Sequence, residues 1–90
     1  MELRETVEMM TSEDYRERFV GEYWQLKIRR DRLKRFLDRI IASQMTEGKV
    51  EEPAHDCPEE LLERQLCTMD EYIDILEKRA AIEGIELEVM

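Results

Sequence analysis

Ninety residues bound the chain to a single domain, and 41% of them are charged while glycine and proline number only three and two. That balance suits long solvated helices better than a sandwich or barrel, which needs many turns. A formal net charge of −9 argues against a nucleic-acid polymer as partner, and the absence of a long apolar run or a leader pattern points to a cytoplasmic protein with no membrane span.

Residues 1–10 form an N-terminal arm. Leu3, Val7 and Met10 have helical spacing, but the stretch is short and weakly helical. A start signal follows at Thr11-Ser12-Glu13-Asp14, where hydroxyls in cap position precede acids in the first turn. The first long helix is predicted over 11–43. Phe19, Tyr23, Leu26, Leu33, Leu37 and Ile40 repeat in steps of four and three, broken once at Arg30. Such a stripe is the seam of a helical hairpin or coiled coil. Val20, Trp24 and Phe36 widen it. A charge on that seam loses several kcal/mol of hydration, on the order of a buried unpaired ion, so Arg30 requires a carboxylate, an anion or water.

The loop is predicted over 44–56, where Gly48 and Pro53 break the period. A second helix is predicted over 57–83, opened by Pro58 with Glu59 and Glu60 and stopped by Gly84. It carries two stripes. One reads Leu62, Leu66, Met69, Ile73, Leu76, Ala80. The other, one position earlier, reads Leu61, Thr68, Tyr72, Ile75, Ile82, with Gln65 and Arg79 between. In the tail, 85–90, the alternation Ile85, Leu87, Val89 suggests a short extended or strand-like segment. The fold class is therefore all-α: an antiparallel two-helix hairpin. One hairpin interface leaves apolar surface over, on Trp24, Ile28, Phe36 and the second stripe. A homo-oligomeric helical bundle would cover it. Folding the arm and tail over the extra face is the alternative.

Candidate chemistry is sparse. Cys57 and Cys67 lie roughly 15 Å apart along one helix, too far for a bridge, and are read as reduced thiols. His55, Asp56 and Cys57 match no zinc spacing, and Glu59 and Glu60 oppose a reactive Cys57 thiolate. The chain is read as a non-enzyme with no metal and no cofactor. The informative polar feature is a basic band from Lys27 to Arg39, seven positive residues against Asp31 and Asp38. Guanidinium groups fork onto phosphate, and Tyr15, Tyr23, Trp24 and Tyr72 offer flat faces for a base. The candidate ligand residues are Tyr15, Tyr23, Arg30, Lys34, Thr68, Tyr72 and Arg79, the last of these grouped on the second face of helix two. The alternative is that the arginines pair with Asp70, Glu71, Asp74 and Glu77 across the hairpin.

The runs Asp14-Tyr15-Arg16-Glu17-Arg18, Glu22-Tyr23-Trp24-Gln25-Leu26-Lys27 and Leu33-Lys34-Arg35-Phe36-Leu37 resemble the first helix of small crAss-like phage proteins. Leu61-Leu62-Glu63-Arg64-Gln65-Leu66, Met69-Asp70-Glu71-Tyr72 and Leu76-Glu77-Lys78-Arg79 resemble their second. The resemblance spans residues 13–82. More distantly the layout is similar to the helical hairpins of phage anti-CBASS and Thoeris anti-defence sponges. It implies a phage-encoded oligomer in the host cytoplasm that sequesters a cyclic nucleotide or ADP-ribose-type immune signal between subunits without cleaving it. The other reading is a helical adaptor for a host or phage protein.

Overall fold

A computed structural model describes residues 1–88, so Val89 at the end of the alternating tail lies outside the described residues. Three helices follow in order: α1 Glu5–Met10, α2 Tyr15–Met45 and α3 Glu59–Glu83. The fold is all-α: α2 and α3 form an antiparallel hairpin, and the described chain, arm and tail included, is 49 Å long and 24 Å across. Thirty-one residues of α2 at 1.5 Å each account for that length.

Local chemistry sets each boundary. The start of α2 falls at Asp14 rather than at Thr11 or Ser12. The Thr11 hydroxyl donates back to the Val7 carbonyl and closes α1. Ser12 Oγ accepts from the Asp14 amide at 3.1 Å and donates to Glu17, while Asp14 Oδ1 accepts from the Arg16 amide at 2.9 Å. At the other end Thr46 Oγ1 returns to the Ala42 carbonyl, and the chain leaves α2 through left-handed Glu47 and Gly48. Pro58 supplies the extended entry to α3. Gly84, at φ 70°, turns the chain so that the Ile85 amide donates to the Ala80 carbonyl at 2.9 Å. Arg16 donates to the Gly84 and Glu83 carbonyls, placing a cation on the negative end of the α3 dipole.

The core joins Phe19, Val20, Tyr23 and Leu26 of α2 to Met69, Ile73, Leu76 and Ala80 of α3, with Ile85 closing it. Leu37 and Ile40 are buried nearer the loop. These are the two stripes that face each other across a hairpin. Arm and tail then cover the apolar surface on the α2 side. The arm, expected to be weakly formed, contains α1 and packs on α2 at Gly21. A Cβ built on Gly21 would lie 2.8 Å from Met9 Cβ and 3.0 Å from the Met10 backbone nitrogen. No other residue permits that approach. Thr6 is 1% exposed there, its hydroxyl donating to the Leu3 carbonyl. In the tail, Trp24 Nε1 donates to the Leu87 carbonyl at 2.6 Å, and Ile85 and Leu87 pack on the core. No strand forms among the described residues; the alternation of Ile85 and Leu87 is that of an extended tail lying on the hairpin. Trp24 and Ile28 are thereby half-buried within one chain, and Phe36, also half-buried, meets His55 of the loop edge-on with ring centroids 6.2 Å apart. The second stripe of α3 is not.

Candidate functional site

The seven residues singled out in the sequence fall into three groups. Tyr23 is a core residue, 6% exposed, whose hydroxyl donates to Glu77 Oε2 at 2.8 Å. Burial first, then that hydrogen bond to a carboxylate, pushes its phenol up to about 12. Arg30 lies on the seam as expected and has the carboxylate it requires. Its Nε and Nη2 straddle Asp70 at 2.6 and 3.4 Å, and Nη1 reaches Asp31 at 3.2 Å. The hydrogen bond to Asp70 raises an already high pKa. Lys34 pairs with Asp38 one turn along α2. These three have their polar groups engaged inside the hairpin.

A second group meets at the end remote from the loop. Tyr15 donates to Glu83 Oε1 at 2.8 Å and accepts from Arg79 Nη2 at 2.9 Å, and Arg79 Nε also reaches Glu83 Oε2 at 3.2 Å. The Arg79 guanidinium lies 5.1 Å from the Phe19 ring centroid, where the ring face attracts a cation. The hydrogen bond to Glu83 raises the Tyr15 pKa, and the same bond holds the Glu83 carboxyl below the usual carboxylate range. Tyr72, whose hydroxyl donates to Glu22, stands close enough for the Arg79 charge to act on it; the bond to Glu22 raises its pKa. Tyr15, Arg18, Phe19, Glu22 and Arg79 line a hollow of about 390 Å³. Thr68, the seventh residue, returns its hydroxyl to the Arg64 carbonyl and lies on the same outer face of α3.

A cleft of about 550 Å³ between the arm and α2 was not assembled from the sequence. Its walls carry Arg4, Arg32 and Arg35 beside Glu2 and Asp31. Asp31 is already paired with Arg30, and among the described residues no carboxylate stands within ion-pair distance of the three guanidinium groups. Arg32 and Arg35, three apart on one face of α2, belong to the basic band. Arg4 joins them only because α1 docks at Gly21. In a chain of net charge −9, the cleft gathers three forked donors against the carboxylates of Glu2 and Asp31.

Elsewhere His55 Nδ1 is engaged by the Cys57 carbonyl at 2.8 Å, and both cysteines are free and exposed. Among the described residues no cluster of three metal-ligating side chains occurs, and no helix is long and apolar enough to cross a membrane.

Fold and site together define an all-α helical hairpin with an arginine-lined cleft and an aromatic, guanidinium-bearing hollow at its open end. The sequence places it further: the profile of the Sequestin family matches residues 13–82, and the chain belongs to that family. The match takes in α2, the loop and α3 to its last turn, and leaves out the arm and tail. No curated protein and no solved structure matches the chain.

Proposed function

We propose that this Sequestin-family chain is a stoichiometric trap, a phage-encoded anti-defence sponge. It would hold a cyclic nucleotide or ADP-ribose-type immune signal without cleaving it, at sites completed between subunits. The family name points to sequestration. The observation that carries an anionic ligand is the cleft of Arg4, Arg32 and Arg35, three guanidinium groups without a carboxylate partner among the described residues. Phosphate oxygens accept two parallel bonds from each such fork. Tyr15, Thr68, Tyr72 and Arg79 remain the candidates for contacts at a subunit boundary, because all four are exposed on the chain. Tyr23, Arg30 and Lys34 are better accounted for by their partners within the hairpin.

The test is a thermal-shift and calorimetric screen of cyclic dinucleotides and ADP-ribose derivatives against the full chain. Ligand at a hundred times its Kd stabilises by about 2.7 kcal/mol, about 10 °C or more in a chain this short. The bound molecule should be recovered intact after denaturation, and Arg32→Ala with Arg35→Ala should weaken binding at least tenfold. A complete panel without stabilisation counts decisively against the reading. A second reading, a helical adaptor for a host or phage protein, is favoured by the exposed apolar stripe of α3. It predicts a co-purifying protein whose capture is indifferent to the arginines.

A further inference from the structure

The outer face of α3 repeats in steps of four and three without a break: Leu61, Gln65, Thr68, Tyr72, Ile75, Arg79, Ile82. Every one of these side chains is exposed, Ile75 at 54% and Ile82 at 85%. The adjacent stripe, from Leu62 to Ala80, faces α2. One helix thus carries two parallel seams, one filled and one open. A strict heptad has a supercoiling helix as its natural counterpart.

We propose that the open seam is the self-association face of this chain: α3 packs against α3 of a second copy, antiparallel about a two-fold axis between Ile73 and Asp74. In that register Tyr72 faces Ile75 of the second copy, Arg79 faces its Thr68, and Ile82 faces its Gln65. The flanking charges select it. Glu71 comes beside Lys78 of the second copy, twice by symmetry. Sliding one heptad toward the helix start sets Glu71 beside Glu71 and Arg64 beside Lys78, and a parallel in-register pair sets Arg79 against Arg79. Each alternative places like charges together.

A hollow in the isolated chain agrees with the chosen register. It holds about 420 Å³ and is lined by Leu61, Arg64, Gln65, Thr68 and Met69. The first four stand at the spacing of a coiled-coil hole, which receives one knob from the facing helix. The knob delivered there is Ile82, the most exposed large apolar side chain on the described residues. The pairing also brings Thr68 of one copy to Arg79 of the other, at the rim of the Tyr15–Arg79 hollow. This deepens the subunit-boundary part of the proposed function and rests on it for that part only; the seam itself needs no ligand. A mass measurement can therefore fail while ligand binding stands, and the reverse.

Sedimentation and light scattering of the full chain test the proposal. The expected result is a dimer, twice the 10.9 kDa chain mass, at micromolar concentration. Ile82→Glu should weaken dimerisation at least tenfold. Its circular dichroism should be unchanged, because Ile82 is 85% exposed within the chain. Glu71→Lys should also weaken the dimer, and Glu71→Lys with Lys78→Glu should restore it. A wild-type chain that stays monomeric at about 100 µM, a range that reaches even weak self-association, overturns the proposal. So does a dimer indifferent to Ile82→Glu, and a charge swap that fails to restore association overturns the antiparallel register.

Discussion

Gly21→Ala separates the arm from the hairpin. In the middle of an isolated helix this exchange stabilises by about 0.8–1.0 kcal/mol, through backbone entropy. Here the new methyl group would stand 2.8 Å from Met9 Cβ and 3.0 Å from the Met10 backbone nitrogen. The second neighbour is main chain and cannot rotate away. Forcing the methyl in would cost about 1–3 kcal/mol. A six-residue helix held by Thr6, Met9 and one close approach has a cheaper response, which is to lift off. The hairpin core contains Met9 only at its edge, so it should keep its fold, and its melting temperature should stay within about 8 °C of the parent. Hydrogen exchange is the deciding assay: amides of Glu5–Met10 should lose protection while those of Phe19–Leu26 keep it. Affinity for the anionic ligand proposed above should fall about tenfold, the equivalent of 1.4 kcal/mol for one displaced guanidinium contact, because Arg4 leaves the cleft. Retained protection of α1, or a collapse of the whole fold, refutes the reasoning.

Leu76→Ala removes a side chain that is 0% exposed at the centre of the interface and should cost about 2–5 kcal/mol in chemical denaturation. Gly84→Ala places a Cβ at φ 70° and should cost about 1–2 kcal/mol; Trp24 fluorescence should report release of the Leu87 tail. For pH, the Tyr23 phenol moves from 10.0 in the unfolded chain to about 12 in the fold. Its contribution to stability is whole below the unfolded value and is lost as pH rises through the folded one, so an alkaline transition is expected between about pH 10 and 12. Ultraviolet titration that shows all three tyrosines ionising together near pH 10 would contradict the buried hydrogen bond to Glu77.

The hairpin was legible because its information is local. Two stripes of period 3.5, a proline start and a glycine stop name the long helices and the faces that meet. Arg30 was legible in the same way, as a charge on an apolar seam that must find a partner, and Asp70 is that partner. The arm was not. Leu3, Val7 and Met10 supplied its visible spacing, yet Val7 and Met10 are exposed and the packed residues are Thr6 and Met9. What seats α1 is a missing side chain on another helix, Gly21, and no pattern within the arm points to it. The cleft was lost for the same reason. Arg32 and Arg35 lay in the basic band, but Arg4 is recruited by a docking event between segments distant in sequence. The tail's cover over Trp24 is likewise a long-range match, of an indole N–H to one carbonyl.

The salt dependence of binding distinguishes a trap for a small anion from a reader of nucleic acid. A protein that neutralises three phosphates of duplex DNA releases condensed counterions, and its log–log salt slope is about −2.7. A cyclic dinucleotide or ADP-ribose has no condensed atmosphere to release. Its attraction to Arg4, Arg32 and Arg35 acts at contact distance, where screening is weak. The repulsion from the chain's net charge of −9 acts over longer distances. The Debye length is about 10 Å at 0.1 M salt and about 30 Å at 0.01 M. Added salt therefore removes the repulsive far field before it weakens the contacts. Between about 10 and 150 mM salt the affinity should stay flat or rise slightly, and it should decline only at higher salt. Calorimetry across that range measures it. A steep loss of affinity with salt, or binding of duplex DNA at physiological salt, would mean that the arginines act as a diffuse basic surface and not as a cleft.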